Sequence, residues 1–141
     1  MQDHIQTLLA HLEGEGFLAH LDEDGDIAFK REGFQYVLCF DESDPGYGKL
    51  LLPNVYEIET QDELHRAHIA MDEINRQMKV VKIYTVRDRV WLTVELWFED
   101  QTCWCPLLVR AMRALSHALM KFAEAVNTSA PEPAPARRLN A

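Results

Sequence analysis

LDEDGDI, residues 21–27, sets four carboxylates around Gly25. Read as a calcium loop it implies two flanking helices; read as a tight turn it implies two flanking strands. An EF-hand loop draws oxygen ligands from its first, third and fifth positions, with glycine at the sixth and glutamate at the twelfth. With Gly25 as the sixth position, the first is His20 and the twelfth is Arg31. A ring nitrogen and a guanidinium cannot serve there. A three-residue loop, Glu23-Asp24-Gly25, with the glycine left-handed, instead pairs Asp22 with Asp26, Leu21 with Ile27 and Ala19 with Phe29. A two-residue loop would set Asp22 against Ile27 and His20 against Phe29, mixing polar and apolar on one face. Hydrophobic matching therefore selects the three-residue hairpin.

Working outward, residues 2–15 place Ile5, Leu8, Leu9 and Leu12 at helical spacing before the stop signals Gly14 and Gly16. After the hairpin, Phe34, Tyr36, Leu38 and Phe40 alternate with Gln35, Val37 and Cys39. A turn at Glu32-Gly33 then pairs Phe29 with Tyr36 and Ile27 with Leu38. Loop 41–48 leads to KLLLPNVYEI, residues 49–58, a strand broken or bulged at Pro53, which suits a sheet edge. Thr60-Gln61-Asp62-Glu63 reads as a capping box opening a helix whose buried stripe is Leu64, Ala67, Met71, Ile74 and Met78. Asn75 borders that stripe, where a carboxamide needs partners and is expected to tie the helix to a neighbouring backbone.

Two strands follow, VVKIYTVR at 80–87 and RVWLTVELWF at 89–98. A loop around Asp88-Arg89 pairs Ile83 with Val94, Val81 with Leu96 and Thr85 with Leu92. On the other face it pairs Lys82 with Glu95, Val86 with Trp91 and Val80 with Trp97. The last helix is predicted from about Pro106 to Val126. Leu108, Met112, Leu115, Leu119, Phe122 and Val126 form its seam, with Ala111, Ala118 and Ala125 alongside. Six such side chains at about 2 kcal/mol each make the seam worth on the order of 10 kcal/mol at most, so the helix must dock on its own sheet or on another subunit. The expected fold class is α+β: helix, antiparallel strand meander, helix, β-hairpin, C-terminal helix.

The chain has 141 residues and a formal charge of −9. That length fits one domain, expected over 1–127, followed by a flexible Pro/Ala-rich tail over 128–141. Residues 1–60 hold 3 basic and 13 acidic groups, whereas 61–141 are nearly balanced at +1. So negative a surface disfavours nucleic acid as a partner. No apolar run reaches the roughly 18 residues of a membrane span, so no membrane association is expected. The opening residues lack the basic-then-apolar pattern of a secretory signal, and the expected compartment is the cytoplasm.

Several side chains invite a chemical reading. Cys39, Cys103 and Cys105 fit no zinc spacing. Cys39 sits within a strand pattern and reads as a core residue. Cys105 precedes the expected start of the last helix, a place where a thiol's pKa falls, so it reads either as a reactive thiol or as an ordinary cysteine. His65, His68 and Asp72 lie on adjoining faces of the capped helix and read either as one contribution to a metal site or as a solvated face. No phosphate loop, serine elbow or carboxylate pair is present in the sequence. No catalytic residue, cofactor or metal ligand is therefore assigned. A thiol- or metal-dependent enzyme using Cys103, Cys105 and the helix histidines is the competing reading.

The final hairpin points elsewhere. Val90, Leu92, Val94, Leu96 and Phe98 account for one face, leaving Trp91 and Trp97, with Val80, Tyr84 and Val86, on the other. Two tryptophans are a large apolar area to leave in water. Either a helix of the same chain covers them, or they form a dimer interface or a groove for a partner segment.

The order of elements resembles the YbjN-like proteins and the type III secretion chaperones, whose fold they share. The residues that carry the resemblance are LLAHLEGEGF (8–17), the meander from Ile27 to Phe40, MDEINRQMKVVKIYTV (71–86) and VRAMRALSHALMKFAEAV (109–126). Together they span about residues 1–127. The resemblance implies an α+β domain that binds protein or peptide segments rather than turning over a substrate, commonly as a homodimer. YbjN-like proteins are often labelled sensory transduction regulators, and a dedicated secretion chaperone is the narrower version of the same function.

Overall fold

The computed structural model describes residues 1–128. The tail expected at 128–141 lies, beyond Thr128, outside the described residues. The chain runs α1 (Gln2–Gly14), β1 (Ala19–Leu21), β2 (Ile27–Arg31), β3 (Phe34–Cys39), β4 (Tyr47–Glu57), α2 (Gln61–Gln77), β5 (Val81–Val86), β6 (Arg89–Trp97), a 3₁₀ turn (Gln101–Cys103) and α3 (Trp104–Asn127). All neighbouring strands are antiparallel, in the order β1-β2-β3-β4-β6-β5. The fold is α+β.

α1 ends in a left-handed glycine, Gly16. The Phe17 N–H bonds the Leu12 carbonyl, and the Gly16 N–H bonds that of Glu13. This satisfies two carbonyls the helix would leave open and turns the chain into β1. The acidic loop 22–26 is the expected hairpin, with Leu21 opposite Ile27 and Ala19 opposite Phe29. Its carboxylates bind the protein's own backbone. Asp22 Oδ1 accepts the amides of Asp24 and Asp26, both at 2.9 Å, and Asp26 Oδ1 accepts that of Phe40 at 2.9 Å. Glu32-Gly33 closes the next hairpin with both residues at positive φ, pairing Phe29 with Tyr36 and Ile27 with Leu38 as expected.

Pro53 does not mark a sheet edge. β4 is central, paired with β3 on one side and with β6 on the other. Its pairing to β3 ends at Leu51 opposite Val37, so Pro53 falls beyond the last β3–β4 pair, where no N–H is needed for a rung. There β4 bulges against β6 between Leu52 and Tyr56, with Asn54 in the left-handed region.

The β5–β6 register also differs from expectation by two residues. Val81 faces Val94, Lys82 faces Thr93, Ile83 faces Leu92 and Tyr84 faces Trp91. Arg87-Asp88 forms the turn, with Arg87 at φ 57°. A slip of two keeps each residue on its expected face but changes every partner. Val80 lies outside β5 and does not pair with Trp97.

All three helices pack on one side of the sheet: α3 against β4, β5 and β6, α2 against β5 and α3, α1 against β1 and α3. The core lies between. Phe29, Tyr36, Leu38, Leu50, Leu52, Leu92 and Val94 point into it from the strands, and Leu8, Leu12, Ile74, Leu108, Leu115 and Phe122 from the helices. Thr60 caps α2 by accepting the Glu63 amide at 3.1 Å, while Glu63 reaches back to the Glu59 amide at 2.8 Å. α3 docks on its own sheet along the expected seam, although Leu119 is only half-buried and Ala125 is exposed. It begins at Trp104, earlier than expected, because Asp100 caps the 3₁₀ turn that leads into it. Trp104 is fully buried, edge-on to Phe98 at 5.6 Å.

Candidate functional site: the uncovered sheet face

The second face of the sheet carries no helix among the described residues. Alternation along each strand places on it Ala28 and Lys30 from β2; Gln35, Val37 and Cys39 from β3; Tyr47, Lys49 and Leu51 from β4; Lys82, Tyr84 and Val86 from β5; and Arg89, Trp91, Thr93, Glu95 and Trp97 from β6. Its centre is closed by neighbouring side chains alone. Ala28, Leu51 and Thr93 are buried, small or mid-sized residues beneath the longer ones that flank them.

Tyr84, Val86, Trp91 and Trp97 all stand on this face, but not as one cluster. Tyr84 lies opposite Trp91, and the Trp91 Nε1 donates to Asn54 Oδ1 at 3.0 Å, which fixes the ring over the β4 bulge. Val86 is opposite Arg89 at the turn. Trp97 lies six residues further along β6, about 20 Å away at strand rise, beside Tyr47 of β4. It is 90% exposed, whereas Trp91, Tyr84 and Val86 are half-buried.

Between the two tryptophans sits a charged centre. Glu95 accepts from the Tyr47 hydroxyl, from Thr93 Oγ1 at 2.7 Å and from Lys82 Nζ at 2.9 Å. Burial alone would push its carboxyl up; these three donors and the lysine charge hold it instead at about 2. Tyr47 and Tyr84 are both pushed up, by burial first and then by the Glu95 carboxylate beside them. Lys82 and Glu95 are diagonal neighbours rather than direct partners, which is how a salt bridge predicted for one register persists in another. Tyr47 escapes the sequence reading because it falls within the loop expected at 41–48, whereas β4 already begins with it. The alternation Tyr47-Lys49-Leu51 was the available signal.

The thiols do not gather into a site. Cys39 is on the uncovered face, not in the core, and its thiol is pushed up to about 11 by burial and then by the charge of Asp26. Cys105 is likewise pushed up by burial, the reverse of the lowering expected at a helix start. The helix begins one residue before it, with Cys103 as its cap residue. A thiol held in its protonated form is a poor nucleophile. His65, His68 and Asp72 are exposed on α2. Among the described residues no three His, Cys, Asp or Glu side chains converge as metal ligands. An open depression of about 340 Å³ at the start of α2, lined by Ile58, Thr60, Leu64, Arg87 and Asp88, holds neither histidine nor cysteine.

Asn75 does tie its helix to a neighbouring backbone. Its carboxamide donates to the Ile83 carbonyl and accepts from the Ile83 amide, each at 2.9 Å.

Two solved structures illustrate the fold's likeness to known proteins. YbjN from E. coli superposes with a TM-score of 0.64 at 11% identity, covering 85% of this chain and 91% of that one. An uncharacterized protein from Methanothermobacter thermautotrophicus superposes with a TM-score of 0.55 at 10% identity, covering 86% and 97%. No curated protein matches the sequence. At these identities the likeness is one of fold. The sequence itself matches the family model described as T3SS (YopN, CesT) and YbjN peptide-binding chaperone 1 over residues 1–130. The chain thus belongs to the YbjN and type III secretion chaperone family of peptide-binding, chaperone-like modules.

Proposed function

We propose that this chain is a non-catalytic, chaperone-like or regulatory binding module of the cytoplasm that docks an extended segment of a partner polypeptide on the uncovered sheet face. The observation that carries this reading is the exposure of Trp97 on a face that no helix covers. Burying an indole removes the largest apolar area any side chain offers, and interfaces draw much of their energy from such anchors. Trp91 and Trp97, about 20 Å apart, match the reach of a six-residue extended segment. Between them, Glu95, Lys82 and Tyr47 offer paired charges and hydroxyls to the segment's backbone or polar side chains. The raised Cys105 thiol and the dispersed histidines weigh against the thiol- or metal-dependent enzyme. The face is also able to meet its own copy, so the module is proposed to be a homodimer.

Trp91→Ala with Trp97→Ala tests the reading. Both rings lie off the helix-covered core, so the double variant is expected to fold, to lose mass toward the monomer or to lose its captured partners. Unchanged mass together with unchanged partners contradicts the reading. Unfolding would assign the indoles to the core.

A further inference from the structure

β5 is one of the two outer strands of the sheet and the longer of them. Its sequence, VKIYTV from 81 to 86, is rich in β-branched and aromatic residues, contains no proline and carries one charge. Such a segment on a free edge is a template for pairing with a second copy of itself. In the hairpin register, Val86 opposite Arg89 closes the turn, so Tyr84 and Lys82 direct their backbone groups toward β6. Val81, Ile83 and Thr85 direct theirs outward.

Two of these three outward positions are occupied from within the chain. Asn75 offers its oxygen to the Ile83 amide and its nitrogen to the Ile83 carbonyl, the same donor–acceptor pair a neighbouring strand would present. One turn of chain earlier, the Val81 amide bonds the Lys79 carbonyl at 2.7 Å across Val80. Val80 is a β-branched residue held at φ 57°, a strained conformation that needs a compensating contact. Thr85 finds no such partner among the described residues.

We infer that Asn75 is an edge lock. Its carboxamide takes the place of a seventh strand at Ile83 and closes the β5 edge to strand addition by a second copy of this chain. Self-pairing of β5 about a two-fold axis would centre on Ile83, so one side chain at that position is enough to block it. This edge is separate from the uncovered face, and the inference stands whether or not that face binds a partner.

Residue-resolved hydrogen exchange and light-scattering mass over a concentration series test it. In the parent, the Ile83 amide is expected to exchange about tenfold or more slowly than that of Thr85. In Asn75→Ala the Ile83 amide loses that protection at low concentration. The variant then associates beyond the parent's mass as concentration rises, and added Thr85→Lys, which puts a charge on the edge, reverses the association. Equal exchange at Ile83 and Thr85 in the parent overturns the inference. So does a folded Asn75→Ala that keeps Ile83 protected or the parent's mass at every concentration. Should Asn75→Ala fail to fold, Asn75→Leu, which keeps the side-chain volume and removes both the donor and the acceptor, is read by the same criteria.

Discussion

Glu95 shows how much a single residue's surroundings decide. Its carboxyl is held at about 2 against an ordinary 4.5, and its side chain is 21% exposed. A folded-state pKa below the unfolded value gives stability that is complete above about pH 4.5 and is lost as pH falls toward 2. Allowing for solvent screening, the contribution is about 1–2 kcal/mol. Glu95→Gln should therefore lower the urea midpoint at pH 7 and lose that difference near pH 2, whereas a gap that ignores pH would contradict the assignment. Two glycines make a sharper contrast. At Gly25, with φ +84°, an added Cβ meets nothing within 4 Å, so Gly25→Ala should cost only the conformational term, about 1 kcal/mol. At Gly48, the same Cβ would run into the Phe98 ring and come within 2.9 Å of Trp104. Gly48→Ala should cost about 1–3 kcal/mol through overpacking, measured by chemical denaturation. Neither Gly48 nor Trp104 was legible in the sequence as a pair, because their contact joins β4 to the start of α3 across the fold. The acidic turn was legible, because glycine's backbone freedom and the facing apolar residues are both local.

Individual elements were read well where one periodicity dominated, and less well where two neighbours had to be aligned. α2 and α3 follow from stripes spaced along a single helix. The β5–β6 register does not, since the alternation permits any even slip, and the Lys82–Glu95 attraction works across a diagonal as well as directly. The register has its own test. A disulfide between Lys82→Cys and Thr93→Cys should close, because directly opposed strand residues lie within disulfide reach, whereas Lys82→Cys with Glu95→Cys should stay reduced under the same mild oxidation. The opposite pattern would restore the register read from sequence. Pro53 misled for a related reason. A proline is barred only from the side of a strand that must donate, and the sequence does not disclose that the β3–β4 pairing ends at Val37 opposite Leu51, leaving β4 free of a partner on that side beyond it. α3 starts earlier than Pro106 because Asp100 accepts from Thr102 and nucleates a turn ahead of the helix, a cap hidden by its distance from the apolar seam.

At the scale of the whole molecule, three helices on one side leave a six-stranded sheet half-covered, and the uncovered half bears both Trp91 and Trp97. Antiparallel sheets tolerate a wet face when that face is polar. Here the centre is polar, around Glu95 and Lys82, while its ends carry indoles. That arrangement suits a docked polypeptide better than water. That the second face carries two indoles was legible in the alternation of β6. Its extent, across Tyr47 and the β4 bulge, was not, because it depends on which strands become neighbours. The helix-side surface provides the contrast, with Met120 of α3 61% exposed and Trp97 90% exposed on the opposite side. A photo-crosslinking amino acid placed at position 97, and separately at position 120, compares the two surfaces in the native cell. The account predicts crosslinks to a polypeptide, a partner or a second copy, from position 97 and none from position 120. Crosslinks from position 120 alone would contradict it.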